Sequence, residues 1–323
     1  MSGINKYNLT LVAADNQKYV LESGITIPLT IEVKYNASAC KKSPITDSTN
    51  VIFKCMKTDE CAIYCFENDI SKNITVMNFA SRRHPGGGYT RGSKAQEEDL
   101  CRTMPQLYPS LLGITYPYQP TSVLITPGVR IMRNNENYKF LNEKNKYTVN
   151  VVSAAAQNLQ IEEFDGSQVE KTLVNLFVSV KRHLPETDTL IIGAWGCGAY
   201  RNDPHKMAGI MNFVCEKYGG MYKNIIYSIP GPNGDVFKDI ITLHTSTPGA
   251  IPKSVIAHES EPDPEPESES GPEPESDSRS GPGPESLTRI KQSRNKDRLP
   301  KSNRANRKDK SVAKRTGHMF TDD

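Results

Sequence analysis

The chain has 323 residues, a formal net charge of +3 and 36% apolar residues. That length and composition allow one large α/β domain or two small ones and exclude a fully disordered or fibrous chain. No apolar run is long enough to span a membrane, the N-terminus lacks an apolar leader segment, and seven cysteines show no regular pairing pattern, so a protein of a reducing compartment, cytoplasmic or nuclear, is expected.

Leu9 to Leu21 has the apolar spacing of a helix and ends near Gly24, a suitable residue for the left-handed position after a helix. Ile25 to Val33 reads as extended, with Pro28 marking an edge or a turn. Val51–Phe53 and Ile63–Phe66 are short strand candidates. Cys55, Cys61 and Cys65 cluster, but no second CxxC or His pair completes a zinc set, so buried thiols and no metal are expected.

Ile74 to Phe79 is short, apolar and β-branched, as a buried strand should be. Pro85-Gly86-Gly87-Gly88 then breaks it. Glycines let the backbone turn sharply and direct its N–H groups at a ligand. Ser93 to Gln96 fits a capping box, which predicts a helix with Glu97 and Glu98 in its first turn. A plain strand-loop-helix crossover has the same features, because a helix dipole favours acids at its start. The alternative is a site in which glycines cradle a diphosphate while a glutamate works on the bond beside it. The residues alone leave the two open.

Further on, Val123 to Asn134 predicts a strand, a turn at Pro127-Gly128 and a second extended piece. Lys146 to Ala156 is another strand running into small residues. Ser167 to Leu184 has one apolar stripe and a second capping box, Ser167 with Glu170. Thr189 to Trp195 is almost continuously apolar, as in a sheet covered on both faces. Asp203-Pro204 starts a helix that turns Met207, Ile210, Met211, Val214 and Tyr218 inward. Asn224 to Ile229 is the last strand, followed by a loop and a final helix. This alternation predicts an α/β fold, a three-layer α/β/α domain, with its strand order open.

After Thr247 the composition changes. Glu259 to Glu285 is Pro, Ser, Glu and Gly, and Arg289 to Arg315 is rich in Lys and Arg. Neither stretch has the apolar residues to offset the entropy of ordering, so both are expected to be disordered. The basic stretch suits nucleic acid, the polyanionic substrate considered below, or a nuclear import receptor. A solvated tail attracted to its acidic neighbour is the plainer reading. The expected organisation is residues 1–50 as an N-terminal addition packed on the core, 51–247 as the catalytic domain and 248–323 as the tail.

Gly-Gly-Gly (86–88) followed by Gln96-Glu97-Glu98 resembles the GGG…QEE signature of poly(ADP-ribose) glycohydrolases, and the flanks NFAS…PGGG and EEDLCR are similar to the microbial type. VLITPGVRIMRN, VVSAAAQN and GAWGCGAYRNDP resemble later blocks of that family in the same order, so the resemblance runs from about Asn8 to about His244. It implies a macrodomain-like mixed sheet and hydrolysis of ribose–ribose bonds in poly(ADP-ribose) without metal or cofactor. ADP-ribosylated proteins are expected as further partners, and a monomer without membrane association is expected.

Residue by residue, the resemblance makes Glu98 the acid/base and Glu97 the ligand of ribose hydroxyls. Asn78 falls near the terminal ribose, Gly86, Gly87 and Gly88 along the diphosphate, and Gln96 within the signature. Gly196, Cys197, Gly198 and Ala199 wrap the other side of the diphosphate, and Tyr200 packs on the terminal ribose. Cys197 lies between glycines with no His in its loop, which argues against a nucleophile. Animal members carry Asn where Ser81 stands here, a residue thought to orient a catalytic glutamate. On a helix, adjacent Glu97 and Glu98 diverge by about 100°, which favours different roles over two acids flanking one bond. Rival readings are an ADP-ribose-binding module without hydrolysis, a mono-ADP-ribosyl hydrolase or nucleotide phosphatase, and a nucleic-acid-binding protein.

Overall fold

The structure is a computed structural model that describes residues 6–142 and 147–245. The stretch after Thr247, expected to be disordered, lies outside the described residues.

Seven strands form one mixed sheet: β1 (Ile31–Val33), β2 (Asn50–Lys54), β3 (Ile74–Phe79), β4 (Val123–Ile131), β5 (Tyr147–Ala154), β6 (Thr189–Ile192) and β7 (Asn224–Ser228). Their order is β1-β4-β5-β3-β6-β7-β2. The five strands from β5 to β2 run parallel, whereas β4 is antiparallel to β5 and β1 to β4. The helices are α1 (Lys6–Ser23), α2 (Thr58–Glu67), α3 (Gln96–Thr103), α4 (Leu107–Leu111), α5 (Gly166–His183), α6 (Pro204–Tyr218) and α7 (Asn233–Thr245).

Strand alternation builds two cores. Met77, Val152, Ala154, Leu190, Ile192, Ile225 and Tyr227 pack with α5, α6 and α7 side chains such as Leu173, Met207 and Phe237. Their neighbours Ile74, Val76, Val149, Val151, Ile191 and Ile226 pack on the other face with Cys61 and Cys65 of α2, Leu100 of α3 and Leu107 of α4. Period-two alternation with both faces apolar is what a helix-covered parallel sheet requires. The three-layer α/β/α arrangement expected from the sequence is therefore present.

Four local expectations are corrected. Ile63–Phe66 lies inside helix α2, not in a strand. Cys61 and Cys65, one turn apart, face the core, and the Glu60 carboxylate accepts the Lys57 N–H at 3.0 Å at the helix start. Helix α3 is preceded by Ala95 without a side-chain cap, so Ser93 is not its cap. Asp165, one residue before the helix, caps α5 by accepting from the Gln168 N–H, in place of Ser167. Pro127-Gly128 is not a turn between two strands. It sits in a register shift within the single strand β4, between Thr126 and Val129, and a bulge accommodates a residue that cannot donate to the ladder.

Chain order places the site. From β3 the chain leaves toward β4 and β5, and from β6 it leaves toward β7 on the other side. The carboxyl ends of neighbouring strands whose connections diverge leave a crevice between their loops. The glycine loop follows β3, and the Gly196–Tyr200 loop follows β6.

Candidate active site

The crevice is a cavity of about 580 Å³. Its walls come from the segments at the carboxyl ends of β2 (Lys57 and the start of α2 to Asp59), β3 (Phe79 to Ala95), β6 (Ala194 to Tyr200) and β7 (Ser228 to Asn233), and from the start of α3. Ser81, Gly87, Gly88, Gln96, Glu97, Glu98, Gly196, Gly198, Ala199 and Tyr200 all line it. Asn78, Gly86 and Cys197 do not. Asn78 lies beneath the floor and donates to Ser153 Oγ at 3.0 Å and Glu97 Oε1 at 3.4 Å.

Two carboxylates meet at Gly87. A Cβ built there would stand 2.6 Å from Glu98 Oε1 and 2.9 Å from Glu97 Oε2, on a residue whose φ is +59°. Only glycine takes that conformation at no cost and leaves both acids room. Although neighbours in sequence diverge on a helix, these two are drawn to one point by different donors. Glu97 Oε2 accepts the Ser81 N–H at 2.7 Å, and Glu98 Oε1 accepts the Gly88 N–H at 2.7 Å. The anchor for Glu97 is the Ser81 backbone. Its Oγ instead accepts the N–H groups of Arg83 and His84.

The two acids differ in environment. Burial pushes the Glu97 carboxyl up to about 8, against the downward pull of the Ser81 N–H and with a further push from the Glu98 charge. At neutral pH the pair therefore retains a proton. Glu98 Oε2 is buried with no hydrogen-bond partner among the described residues, and so is Asn78 Oδ1. An orphaned carboxylate oxygen costs stability. It belongs where a group from outside the protein completes it.

A stability consequence follows. A buried acid with a raised folded value stabilises fully below its unfolded value, near 4.5, and loses that contribution as pH rises through about 8. Asp59, also pushed up by burial, acts in the same direction. The comparison with Glu97→Gln isolates Glu97. Between pH 5 and pH 8 the melting temperature of the variant relative to the wild type should rise by about 3 °C or more. A constant difference across that range would remove the assignment.

Helix α3 is braced from several sides. The Gln96 amide is fully used: Oε1 accepts the Phe79 N–H at 2.8 Å, and Nε2 donates to Met77 O at 2.8 Å and Thr58 Oγ1 at 3.0 Å. Gln96 thus pins the acids to β3. At the far end of α3, Asn16 of α1 donates to the Cys101 and Arg102 carbonyls at 3.2 and 3.0 Å. Arg133 Nε donates to Asn16 Oδ1 at 2.7 Å. Asp99 accepts from Lys57 at 3.1 Å and from the Tyr138 hydroxyl at 2.5 Å. Fully buried Arg102 bonds the Ser93 carbonyl and Asp99.

Asn16, Lys57, Asp99, Arg102, Arg133 and Tyr138 escaped the sequence reading. They join positions up to 117 residues apart and leave no local pattern. Opposite the glycines, Gly196 has φ +77° and packs against Ala156 and Asn202, whereas a Cβ on Gly198 would meet nothing within 4 Å. Cys197 is turned away from the cavity. Its thiol, pushed up to about 12 by burial, stays protonated at neutral pH and makes a poor nucleophile. No group of side chains with metal-binding geometry occurs among the described residues. No helix among them is long and apolar enough to cross a membrane.

A mixed α/β sheet with a glycine loop, a facing loop and a paired-acid helix around one crevice defines a macrodomain-like fold. Comparison with known proteins sharpens this. Residues 8–134 match the family model of the microbial-type PARG catalytic domain, that of poly(ADP-ribose) glycohydrolase. No curated protein matches the sequence. Among solved structures, the poly(ADP-ribose) glycohydrolase of Thermomonospora curvata bound to the inhibitor ADP-HPD is 22% identical, with a TM-score of 0.60 over 72% of this chain and 99% of that one. The enzyme of Deinococcus radiodurans in complex with ADP-ribose is 25% identical, with a TM-score of 0.52 over 72% of this chain and 98% of that one. The chain shares their fold.

Proposed function

We propose that this protein is a poly(ADP-ribose) glycohydrolase that hydrolyses ribose–ribose bonds and releases ADP-ribose, with Glu98 as acid/base. The observation that carries this reading is Glu98 itself. One oxygen is tethered to the Gly88 N–H, and the other is buried without a partner in a residue that lines the cavity. The family match across this segment and the fold shared with enzymes solved with ADP-ribose or with the inhibitor ADP-HPD support it.

The site suits a substrate with a diphosphate between two sugars. The Gly198 and Ala199 N–H groups face the diphosphate from one side; the glycine loop, whose Gly87 and Gly88 N–H groups are spent on the His84 carbonyl and Glu98, lets the diphosphate approach its backbone closely from the other. Tyr200 packs against the terminal ribose, Glu97 holds its hydroxyls, and Asn78 fixes Glu97 from below. The proton retained by the Glu97–Glu98 pair reaches the leaving ribose oxygen through Glu98 as the C1–O bond breaks and positive charge develops on the sugar. Water then adds to C1, and Glu98 takes the proton from it. One water is consumed and the pair regains its proton. A module that only binds needs the loops but gains nothing from a tethered, half-unpartnered glutamate.

The reading predicts where cleavage stops. Between two units the leaving group is a ribose hydroxyl. At the protein end it is an amino-acid side chain, with different acidity and no second ribose. An automodified ADP-ribosyltransferase, treated until release of ADP-ribose ceases, should keep one ADP-ribose per acceptor residue by mass. Bare acceptors would instead assign a mono-ADP-ribosyl hydrolase and a different role for Glu97. The basic stretch from Arg289 to Arg315 is a candidate contact for the polyanionic polymer or for nucleic acid.

A further inference from the structure

Beside the main cavity lies a second pocket of about 210 Å³, lined by Ser81, Arg82, Arg83, His84, Ala156, Asn158, Ile161, Glu162 and Tyr200. Ser81, His84, Ala156 and Tyr200 line both, so the two spaces share a wall, and the Ser81 N–H in that wall bonds Glu97 at 2.7 Å. Two features of the side pocket have no use in the fold. The guanidinium groups of Arg82 and Arg83 make no hydrogen bond or salt bridge among the described residues. Ile161 is 60% exposed, an apolar surface in polar surroundings. The turn that presents the two arginines is fixed, because Ser81 Oγ accepts the Arg83 and His84 N–H groups at 3.3 and 3.2 Å. The negative group in the pocket, Glu162, is already bonded to the Asn158 N–H at 2.6 Å.

We propose that this side pocket binds the nucleotide on the leaving side of the bond, so that the protein recognises two ADP-ribose units at once. The inference rests on the glycohydrolase reading of the main cavity. If the terminal unit fills that cavity, the oxygen that leaves belongs to the ribose of a neighbouring unit just beyond Ser81 and Tyr200. That neighbour carries a purine and a diphosphate. Ile161 offers the purine an apolar face, and the two arginines match the diphosphate in charge and in planar donor geometry.

The test uses the full chain carrying Glu98→Gln, so that bound oligomer stays intact. Dissociation constants are measured for ADP-ribose and for a two-unit oligomer, with and without Arg82→Ala/Arg83→Ala. The two-unit ligand should bind about tenfold tighter than the monomer at about 50 mM salt. The preference should shrink at about 200 mM, because exposed charges are screened. The double arginine variant should lose the preference while its monomer affinity stays within about twofold. Equal affinity for the two ligands, or a preference that survives loss of both arginines, overturns the inference and leaves the main-cavity reading standing. Failure of ADP-ribose itself to bind overturns both.

Discussion

Glu98→Gln should lower the rate of ADP-ribose release by about a hundred- to ten-thousandfold, the usual worth of a positioned acid/base, while ADP-ribose affinity stays within about tenfold. The amide oxygen still accepts the Gly88 N–H, which Glu98 Oε1 accepts at 2.7 Å, so the side chain keeps its place. The amide nitrogen then occupies the position of the unpartnered Oε2. What the variant cannot do is give up a proton and recover it. Single-turnover release from labelled polymer, beside calorimetric titration with ADP-ribose, separates the two effects. Release at a near wild-type rate would show that another group does the proton transfer. A joint collapse of binding and release would make Glu98 a binding residue.

Gly87→Ala should be nearly as damaging, by a different route. The residue has φ +59°, which costs a side-chain-bearing residue about 1–2 kcal/mol. Its new Cβ would lie 2.6 Å from Glu98 Oε1 and 2.9 Å from Glu97 Oε2, so both acids must move. Displacing reacting groups by about 1 Å costs on the order of a hundredfold in rate. Turnover should fall by at least that factor, with a cooperative melt retained. The control is Gly198→Ala, where a Cβ meets nothing within 4 Å. Its melting temperature should equal that of the wild type. A fully active Gly87→Ala protein would mean that the acids are not held as described.

Much of the architecture is legible in the chain because the sheet is helix-covered on both faces. Strands such as Thr189–Ile192 then read as unbroken apolar runs, and Asp203-Pro204 announces a helix start by local chemistry alone. The cap at Ser93 was misread for a physical reason. Gln96, which has the spacing of a reciprocal cap, spends its amide on Phe79, Met77 and Thr58 instead. A long-range partner thus wins over the local one. Residues Ile63–Phe66 look like a strand in isolation and become helix because Cys61 and Cys65 must face one core.

In the site, the glycines and the acid pair are visible because contiguous residues build them. The support is not. Asn16 reaches across 85 and 86 residues to the end of the acid-bearing helix, and no window of sequence contains both ends of that bond. The contact between Ser81 and Glu97 is also visible only in three dimensions. The contact at 2.7 Å uses the backbone N–H, which every residue but proline carries.

The most direct measurement is to incubate the purified protein with poly(ADP-ribose) and identify the soluble product by chromatography and mass. The account predicts monomeric ADP-ribose accumulating as the polymer shortens, with no dependence on added metal. Polymer that is bound but still intact after extended incubation would contradict it and leave a protein that recognises ADP-ribose without cleaving it.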